Sequence, residues 1–359
     1  MSPSPARVSS PLLPAFRWPL AGVFGLAAVL LALLAAGCGA TASTSSSAST
    51  AAASPGAASL KDVTLMMDWV PWVLDIPVDV AQAKGYYTSA GLRVKQTIPA
   101  GATDVVKFVS TGKADFGLYY APDTLAAVSE GAPLVSVGSL MSHAPVGMAM
   151  APGVHASTPK DLEGKVAAVV MIPSTRASFA SMLKAGGVPA GSVKVVDPGF
   201  ELVAPLLAHK YDAVAVTQFG ELVQAEATGQ KLAYLDFRDW GTPDYDFLNI
   251  VTSSAAAVSD PATVRAFVAA TLQGLEYAAA HPEEAVSIYV ARHPELKKDL
   301  LLAQWRAALP SLAVAGDQAA GWQDPSSWQD LAAWMKQTGQ LTKPVDVTAA
   351  ATNDYLPPR

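Results

Sequence analysis

The chain has 359 residues, a formal net charge of −6, 51% hydrophobic residues and a single cysteine. This length predicts roughly two domains and a substantial core, since domains commonly have about 100–200 residues. The mild acidity argues against an electrostatic nucleic-acid binder, and the high apolar fraction argues against a disordered chain. One cysteine excludes an internal disulfide, a cysteine-rich zinc site and an iron–sulfur cluster.

The N-terminal region has the pattern of a secretion signal. Residues 18–37 form the only apolar run long enough to span a bilayer, which excludes a polytopic membrane protein, and only basic charges precede the run. The run ends in small residues directly before Cys38, which resembles a bacterial lipobox with Ala35 where leucine is usual. We interpret residues 1–37 as a lipoprotein signal peptide and Cys38 as the lipidation site. An uncleaved anchor helix with an incidental cysteine is the alternative.

Residues 38–60 are almost entirely Ala, Ser, Thr and Gly, without any charge. Such a segment cannot offset its ordering entropy by burial, so we predict a flexible linker. A lipidated cysteine, a linker and a folded body together predict a protein anchored by lipid on the extracytoplasmic face of the cell membrane. Several acyl chains would hold it firmly, whereas one would hold it weakly.

From residue 61 onward, strands and helices alternate, which predicts an α/β fold with parallel strands. Apolar periodicity and turn residues predict strands at 63–67, 92–98, 114–118 and 134–137, and helices at 79–84, 103–110 and 124–129. The pattern repeats with strands at 165–171, 192–196, 213–217, 231–235 and 247–252, and helices at 174–184, 202–208 and 221–227. Three further helices are predicted to begin at Asp260-Pro261, Pro282 and Asp324-Pro325.

Two α/β halves followed by helices predict two lobes with a cleft between them. We place the crossings between lobes near 144–152 and 247–254. Lobe 1 then begins with residues 61–147, lobe 2 comprises 148–250, and residues 251–359 form the helical return to lobe 1. Ligands commonly bind beyond the carboxyl ends of strands and between lobes, so the cleft is the expected ligand site.

The sequence contains no recognisable catalytic constellation. The five histidines, at positions 143, 155, 209, 281 and 293, lack metal-ligand spacing, and no metalloprotease, phosphate-loop, dinucleotide-binding or nucleophile-elbow motif occurs. We therefore expect no catalytic residue, no resident metal and no cofactor, with the histidines at ordinary surface or core positions.

Aromatic residues follow several predicted strands, where a cleft would lie. They are Trp69, Trp72, Tyr119, Tyr120 and Phe219, together with Trp240 and Tyr245 in a loop before the second crossing. Flat rings at such positions would stack on a planar ligand and would favour a cationic one. Ordinary core packing is the alternative for each ring, while their joint placement favours a pocket.

Several segments together resemble one family. They are VTLMMDWVP at 63–71, GKADFG at 112–117, EGAP at 130–133, DLEGKV at 161–166, YDAV at 211–214, WGTPDYD at 240–246 and GWQDP at 321–325. On these segments the chain resembles the periplasmic solute-binding proteins of ABC importers, in the branch named for synthesis and uptake of the thiamine-pyrimidine precursor. The resemblance implies a type II periplasmic-binding-protein fold with two α/β lobes joined by two crossover strands. It also implies a monomer that delivers a small-molecule ligand to ABC permease subunits in the membrane.

The resemblance implies a set of cleft residues as well: Asp68, Trp69, Tyr119, Tyr120, Ser174, Thr175, Glu221, Trp240 and Tyr245. Residues 173–175 open a predicted helix, whose free N–H groups could receive an anionic or polar ligand group, with a plain N-cap as the alternative. The family commonly has Asn and His where this chain has Trp72 and Asp75. We expect Asp75 or Glu221 to accept hydrogen bonds from a ligand amine.

These observations predict a lipid-anchored binding protein for a planar heteroaromatic molecule, such as a thiamine pyrimidine precursor. A sulfonate, nitrate or riboflavin-like ligand is the alternative within the same class. A pyrimidine-synthase-like enzyme is an alternative of another class. Fungal relatives of that kind use a histidine and a cysteine-rich motif, whereas this chain has Asp75 at the histidine position and no cysteine after Cys38. An adhesive or structural lipoprotein is a third reading.

Overall fold

The structure is a computed structural model that describes residues 59–358, apart from 102, 190 and 200. The predicted signal peptide, Cys38 and residues 38–58 of the predicted linker lie outside the described residues.

Two five-stranded sheets organise the described chain. The first contains β1 (Lys61–Met66), β2 (Leu92–Thr97), β3 (Phe116–Tyr120), β4 (Leu134–Met141) and β10 (Leu248–Ser253), in the order β2-β1-β3-β10-β4. The second contains β5 (Val146–Met150), β6 (Val166–Ala168), β7 (Lys194–Val196), β8 (Ala213–Thr217) and β9 (Tyr234–Asp236), in the order β7-β6-β8-β5-β9. We call the sheets with their helices the first and second lobe.

Helices cover the sheets and complete the first lobe. Between β1 and β9 these are α1 (Ile76–Ala83), α2 (Tyr86–Ser89), α3 (Asp104–Ser110), α4 (Ala121–Ser129), α5 (Pro173–Ala185), α6 (Val203–Leu207) and α7 (Val223–Glu226). After β10 they are α8 (Ser254–Ser259), α9 (Pro261–Ala280), α10 (Pro282–Arg292), α11 (Lys298–Ala308), α12 (Pro325–Gln337) and α13 (Val347–Ala350). Single helical turns occur at Val73–Asp75, Pro159–Leu162, Phe237–Trp240 and Leu309–Ser311, and a π-helical turn occurs at Gln218–Leu222.

The sheets are mixed, with the predicted parallel strands and antiparallel strands beside them. Pairs such as β1–β2 and β6–β8 are parallel, but β10 runs antiparallel to β3 and β4, and β5 runs antiparallel to β8 and β9. Strands β5 and β10 are the first strands that the chain forms after it crosses from one lobe to the other. They occupy most of the predicted crossings, so the connections proper are residues 142–145 and 237–247.

The predicted helix starts are confirmed where a capping residue marks them. Asp260 caps α9 by accepting a hydrogen bond from the N–H of Thr263 at 3.2 Å, and Asp324 caps α12 through the N–H of Ser326 at 3.0 Å. Helix α11 is absent from the predicted elements because Lys297 precedes it and provides no side-chain cap. The predicted helix at 221–227 begins earlier, with the π-helical turn.

A long helix closes the back of the first sheet. The apolar positions predicted for one face of α9, from Val264 to Leu275, are buried in the first lobe. The helix crosses α1 closely at Gly274, where an added Cβ would lie 2.2 Å from the carbonyl oxygen of Pro77. Any larger residue at this position would clash with α1, so glycine is required there. The close crossing packs α1 against α9, behind the loop that follows β1.

Candidate functional site

A cavity of about 90 Å³ lies between the lobes, at the carboxyl ends of strands from both sheets. The first lobe and the second connection contribute Trp69, Trp72, Tyr120, Tyr245 and Phe247. The second lobe contributes the polar residues Ser174, Thr175, Ser178, Thr217 and Glu221, and the apolar residues Val146, Val170, Ile172, Leu202, Ala215 and Val216. Because β1 and β3 are parallel neighbours, the loop after β1 meets the end of β3 at one edge of the cavity.

Aromatic rings form one wall of the cavity and pack on one another. The ring of Tyr120 lies 5.1 Å from that of Phe247, and the ring of Trp72 lies 5.8 Å from that of Phe219. Phe219 is 1% exposed and lies behind the wall, 6.2 Å from Phe247 in an edge-on arrangement. Trp72 and Tyr120 therefore line the cavity, while Phe219 lies behind them against Trp72 and Phe247.

Asp68 fixes two of these aromatic residues. Its carboxylate accepts a hydrogen bond from the Tyr120 hydroxyl at 2.7 Å and a longer one from the Trp72 indole N–H at 3.4 Å. Burial raises the pKa of Asp68 to about 6, against the lowering effect of these donors. Asp68 thus orients the aromatic wall from behind.

Glu221 is the only charged residue on the cavity wall within the described part of the chain. The π-helical turn after β8 places it there, and its Oε2 accepts hydrogen bonds from the Thr217 N–H at 2.9 Å and hydroxyl at 2.6 Å. A π-helical turn adds one residue to the helical circuit and is frequent at functional sites. The local fold therefore holds one carboxylate at a fixed position beside the aromatic wall.

The start of α5 meets an acid of the chain itself. The Ser174 hydroxyl donates to Oδ2 of Asp123 on α4, at 3.1 Å, across the cleft between the lobes. Both residues are buried, and burial raises the pKa of Asp123 to about 6, partly offset by the Ser174 hydrogen bond. The predicted anion-receiving helix end is therefore occupied in part by the carboxyl group of Asp123.

Asp75 lies behind the cavity and is not part of its lining. Its Oδ2 accepts hydrogen bonds from the Trp72 N–H at 3.1 Å and from the Tyr289 hydroxyl at 3.2 Å. Its Oδ1 is buried without a hydrogen-bond partner within the described residues. Burial, followed by the nearby charge of Asp68, raises the pKa of Asp75 well above its usual range. These contacts make Asp75 a support for the turn that carries Trp72.

Three further predicted site residues, Asp68, Tyr119 and Trp240, do not line the first cavity. Tyr119 and Asp68 line a second cavity beside the first. Trp240 packs against the core of the second lobe and does not line the first cavity. In the same WGTPDYD segment, Asp244 binds the His143 ring at 2.6 Å and the Ala144 N–H at 3.0 Å, so it joins the two connections.

Sequence patterns missed several residues of the site, among them Phe247 and Asp123. Phe247 stands two positions after Tyr245, and this alternation in an extended segment is the signal that could have indicated a shared face. Asp123 lies in the first turn of α4, where an acid is expected at any helix start. Nothing in its sequence context indicates that it faces the other lobe.

Two of the histidines pair with carboxylates of the chain. His293 lies 3.2 Å from the buried Asp79, and His143 is paired with Asp244 as described above. Across the described residues, no group of three or more His, Cys, Asp or Glu side chains is arranged to hold a metal ion. No helix in this same part of the chain has the length and apolar character needed to cross a membrane.

Comparison with known families identifies the chain. Residues 75–285, more than half of the sequence, match the family described as NMT1/THI5 like, and the chain belongs to this family. Among solved structures, the periplasmic aliphatic sulphonate binding protein SsuA of Escherichia coli has a TM-score of 0.63 at 14% identity, covering 80% of this chain and 91% of that one. The fold is therefore the type II fold of periplasmic binding proteins.

Three relatives of this chain differ in the functions that their names give. The formylaminopyrimidine-binding protein of Halalkalibacterium halodurans is 28% identical, over 78% of this chain and 88% of the relative. The riboflavin-binding protein RibY of Chloroflexus aurantiacus is 28% identical, over 83% and 87%. The 4-amino-5-hydroxymethyl-2-methylpyrimidine phosphate synthase THI11 of Saccharomyces cerevisiae is 25% identical, over 69% and 76%. The relatives of this chain thus include proteins named as binding proteins and one named as a synthase.

Proposed function

We propose that the protein is a solute-binding protein of an ABC importer that captures a single-ring, amino-substituted heteroaromatic molecule, such as a thiamine pyrimidine precursor. The observation that supports this most directly is the composition of the first cavity. Aromatic rings and one carboxylate line it, and no Lys, Arg or His side chain does so within the described residues. Such a wall favours a flat ligand that donates hydrogen bonds.

The same composition argues against an anionic ligand. A sulfonate or nitrate would place a negative charge near Glu221 without a cationic partner on the cavity wall. The start of α5, which could otherwise attract an anion, already faces the carboxyl group of Asp123. The sulfonate and nitrate alternatives are therefore disfavoured by charge.

The first cavity has room for a single ring. Its volume of about 90 Å³ is several times the roughly 10–15 Å³ that one water needs. A fused-ring ligand such as a flavin would extend past Trp69 and Tyr120 into a neighbouring cavity that shares these residues, so riboflavin is included among the probes below.

Isothermal titration calorimetry tests the proposal with four probes: 4-amino-5-hydroxymethyl-2-methylpyrimidine, riboflavin, an alkanesulfonate and nitrate. We expect the aminopyrimidine to bind most tightly, with Oε1 of Glu221 accepting from its amino group. Glu221→Gln should weaken that binding about 10- to 100-fold, the value of a hydrogen bond to a charged group. Glu226→Gln, the same change at an exposed position of α7, is the control. Tight binding of the sulfonate or nitrate without binding of the aminopyrimidine would overturn the proposal.

We further propose that the protein binds its ligand without converting it. Asp75, at the position of the histidine expected in the synthase-like relatives, is buried behind Trp72 and makes only structural contacts among the described residues. A synthase forms the pyrimidine as its product, so the discriminating sample is protein incubated without any added pyrimidine. It should release no pyrimidine, as checked by mass spectrometry, and pyrimidine formed in that sample would favour the enzyme instead.

The cellular setting is part of the proposal. A signal peptide at 1–37, a lipidated Cys38 and a linker to residue 60 would tether a monomeric body outside the cytoplasmic membrane, where it meets ABC permease subunits. The support is the sequence pattern and the periplasmic-binding fold. Cys38→Ala should release the protein from the membrane fraction, and mass spectrometry of the membrane form should detect acyl chains on Cys38. A membrane-bound Cys38→Ala variant would contradict the tether.

A further inference from the structure

A second cavity, of about 420 Å³, lies beside the first and is here called the side chamber. Trp69, Tyr120 and Ile172 line both cavities, so the two cavities adjoin at these residues. Asp68, Tyr119 and Asp123 line the side chamber but not the first cavity. A substituent on a ligand ring in the first cavity would reach this chamber past Trp69 and Tyr120.

Two buried carboxyl groups face the side chamber. Asp68 is 5% exposed and Asp123 is 9% exposed. Their side-chain donors are neutral: the Tyr120 hydroxyl and the Trp72 indole for Asp68, and the Ser174 hydroxyl for Asp123. Buried carboxylates ordinarily have a cationic partner, since neutral donors compensate only part of the cost of burying the charge.

The other charged groups along the chamber do not supply that partner. Lys107 on α3 is exposed to solvent, which screens its charge. Glu130 is exposed and is paired with Lys343 at 2.5 Å. The chamber therefore retains an uncompensated negative potential at Asp68 and Asp123.

Aromatic rings complete the surroundings of these acids. Tyr119 and Tyr120 have ring centroids 6.2 Å apart, and the indole of Trp69 adds a third aromatic group to the wall. Aromatic faces beside carboxylates are the combination that recognises an organic ammonium group, through ring quadrupoles and charge-assisted hydrogen bonds.

We propose that the side chamber is a subsite for a positively charged amino group on the ligand, held by Asp68 and Asp123 and enclosed by Trp69, Tyr119 and Tyr120. The inference deepens the proposed function, on which it rests, by assigning a cationic substituent to the captured heteroaromatic. It also specifies a direction, with the ring in the first cavity and the ammonium group beyond Tyr120.

A matched pair of simple probes tests the subsite without assuming a pyrimidine: benzylammonium and benzyl alcohol, which share a ring and differ in the charge of the arm. Titration calorimetry near neutral pH should show at least about tenfold tighter binding of benzylammonium. Asp68→Asn and Asp123→Asn should each reduce that preference several-fold. Asp299→Asn, the same change at an exposed position of α11 that does not line the chamber, should leave it within about twofold.

Wild-type protein provides a second measurement that needs no variant to fold. Burial raises the pKa of both acids to about 6, while the amine remains protonated in this range. The preference for benzylammonium should therefore fall several-fold as the pH is lowered from about 7.5 to about 5. Equal binding of the two probes, no binding of benzylammonium at millimolar concentration, or a preference that survives both Asn changes would overturn the inference. Failure of the pyrimidine panel would instead overturn the proposed function, so the two failures are distinguishable.

Discussion

Phe219 of the second lobe lies with its ring 5.8 Å from that of Trp72 in the first lobe. Its side chain is buried in the hydrophobic core of the first lobe, although its π-helical turn follows β8 of the second sheet. The same turn is bound from the first lobe by Gln304 of α11, whose side-chain amide donates to the Gly220 carbonyl at 3.0 Å. Side chains from both lobes thus support the aromatic wall, and the turn that holds Phe219 also positions Glu221.

Phe219→Ala is expected to affect stability and ligand binding together. Removing a buried phenylalanine ring costs about 3–5 kcal/mol of unfolding free energy. The indole of Trp72 would also lose its support, so the affinity for the ligand should fall by about tenfold or more. Urea unfolding and titration calorimetry on the same preparations measure the two effects.

Phe237→Ala is the matched control, because Phe237 is 2% exposed and lies in the core of the second lobe, away from the cavity. It should lose comparable stability and retain ligand affinity. Equal losses of affinity in both variants would indicate that Phe219 acts only through global stability.

Asp75 is expected to tolerate an amide better than truncation. Burial keeps the pKa of its carboxyl group well above the usual range, so a neutral asparagine resembles the native group and can still accept from the Trp72 N–H. Asp75→Ala removes that acceptor and the contact with Tyr289, which should cost about 1–3 kcal/mol and loosen the Trp72 turn.

Chemical denaturation and the quenching of tryptophan fluorescence by ligand can compare the two Asp75 variants. Asp75→Asn should remain close to wild type in both measurements. An Asp75→Asn variant as impaired as Asp75→Ala would show that the charge of Asp75 is required, as in direct contact with a ligand amine.

Much of the architecture follows from local sequence signals. Asp260 and Asp324 mark helix starts by their caps, and period-3.6 apolar positions define the buried face of α9. The lobes and the position of the cleft follow from alternating strands and helices, together with the family resemblance. The antiparallel direction of β5 and β10 does not follow from these signals. It depends on which sheet the chain joins after it crosses between the lobes.

The site was predictable in its residue types and less so in their roles. Aromatic residues after strands do gather at the cavity, as Trp69, Trp72, Tyr120 and Tyr245 show. Whether a ring faces the cavity or supports another ring depends on packing between the lobes, and Phe219 and Trp240 differ from their neighbours only in this respect. Contacts between distant segments, such as Asp123 with Ser174, have no local sequence signal.

Stability should decrease as the pH rises from the acidic range towards neutrality. Burial raises the pKa of Asp246 to about 7, although the Trp328 indole N–H donates to it at 2.7 Å. The folded state then binds more protons than the unfolded state between about pH 4 and pH 7, so the unfolding free energy falls as the pH rises through that range. Asp68 and Asp123, each with a pKa of about 6, act in the same direction.

The midpoint of urea unfolding should therefore be higher near pH 5 than near pH 8. Asp246→Asn should remove part of that difference, on the order of 2 kcal/mol, because the amide cannot ionise. Asp239→Asn, at an exposed position, should leave the pH dependence unchanged. A midpoint that rises steadily from pH 5 to pH 8 would contradict the sign of the effect.

Ser174→Ala should weaken ligand binding without altering the aromatic wall. The Ser174 hydroxyl bonds to Asp123 across the cleft, so the bond contributes only while the lobes are together. Its loss leaves the buried carboxyl group without that donor, at a cost of about 1–3 kcal/mol, and should raise the pKa of Asp123 further. Since the cost is specific to the approach of the lobes, ligand affinity should fall about tenfold.

Ser181→Ala is the control, because it makes the same substitution two turns further along α5. Titration calorimetry of both variants, with small-angle scattering of the ligand-bound forms, separates the effects. The Ser174→Ala complex should have a larger radius of gyration than the Ser181→Ala complex, because the lobes lose one of their direct contacts. If Ser174→Ala instead binds as tightly as wild type and scatters identically, then the aromatic packing of Phe219 against Trp72 is sufficient to hold the lobes together.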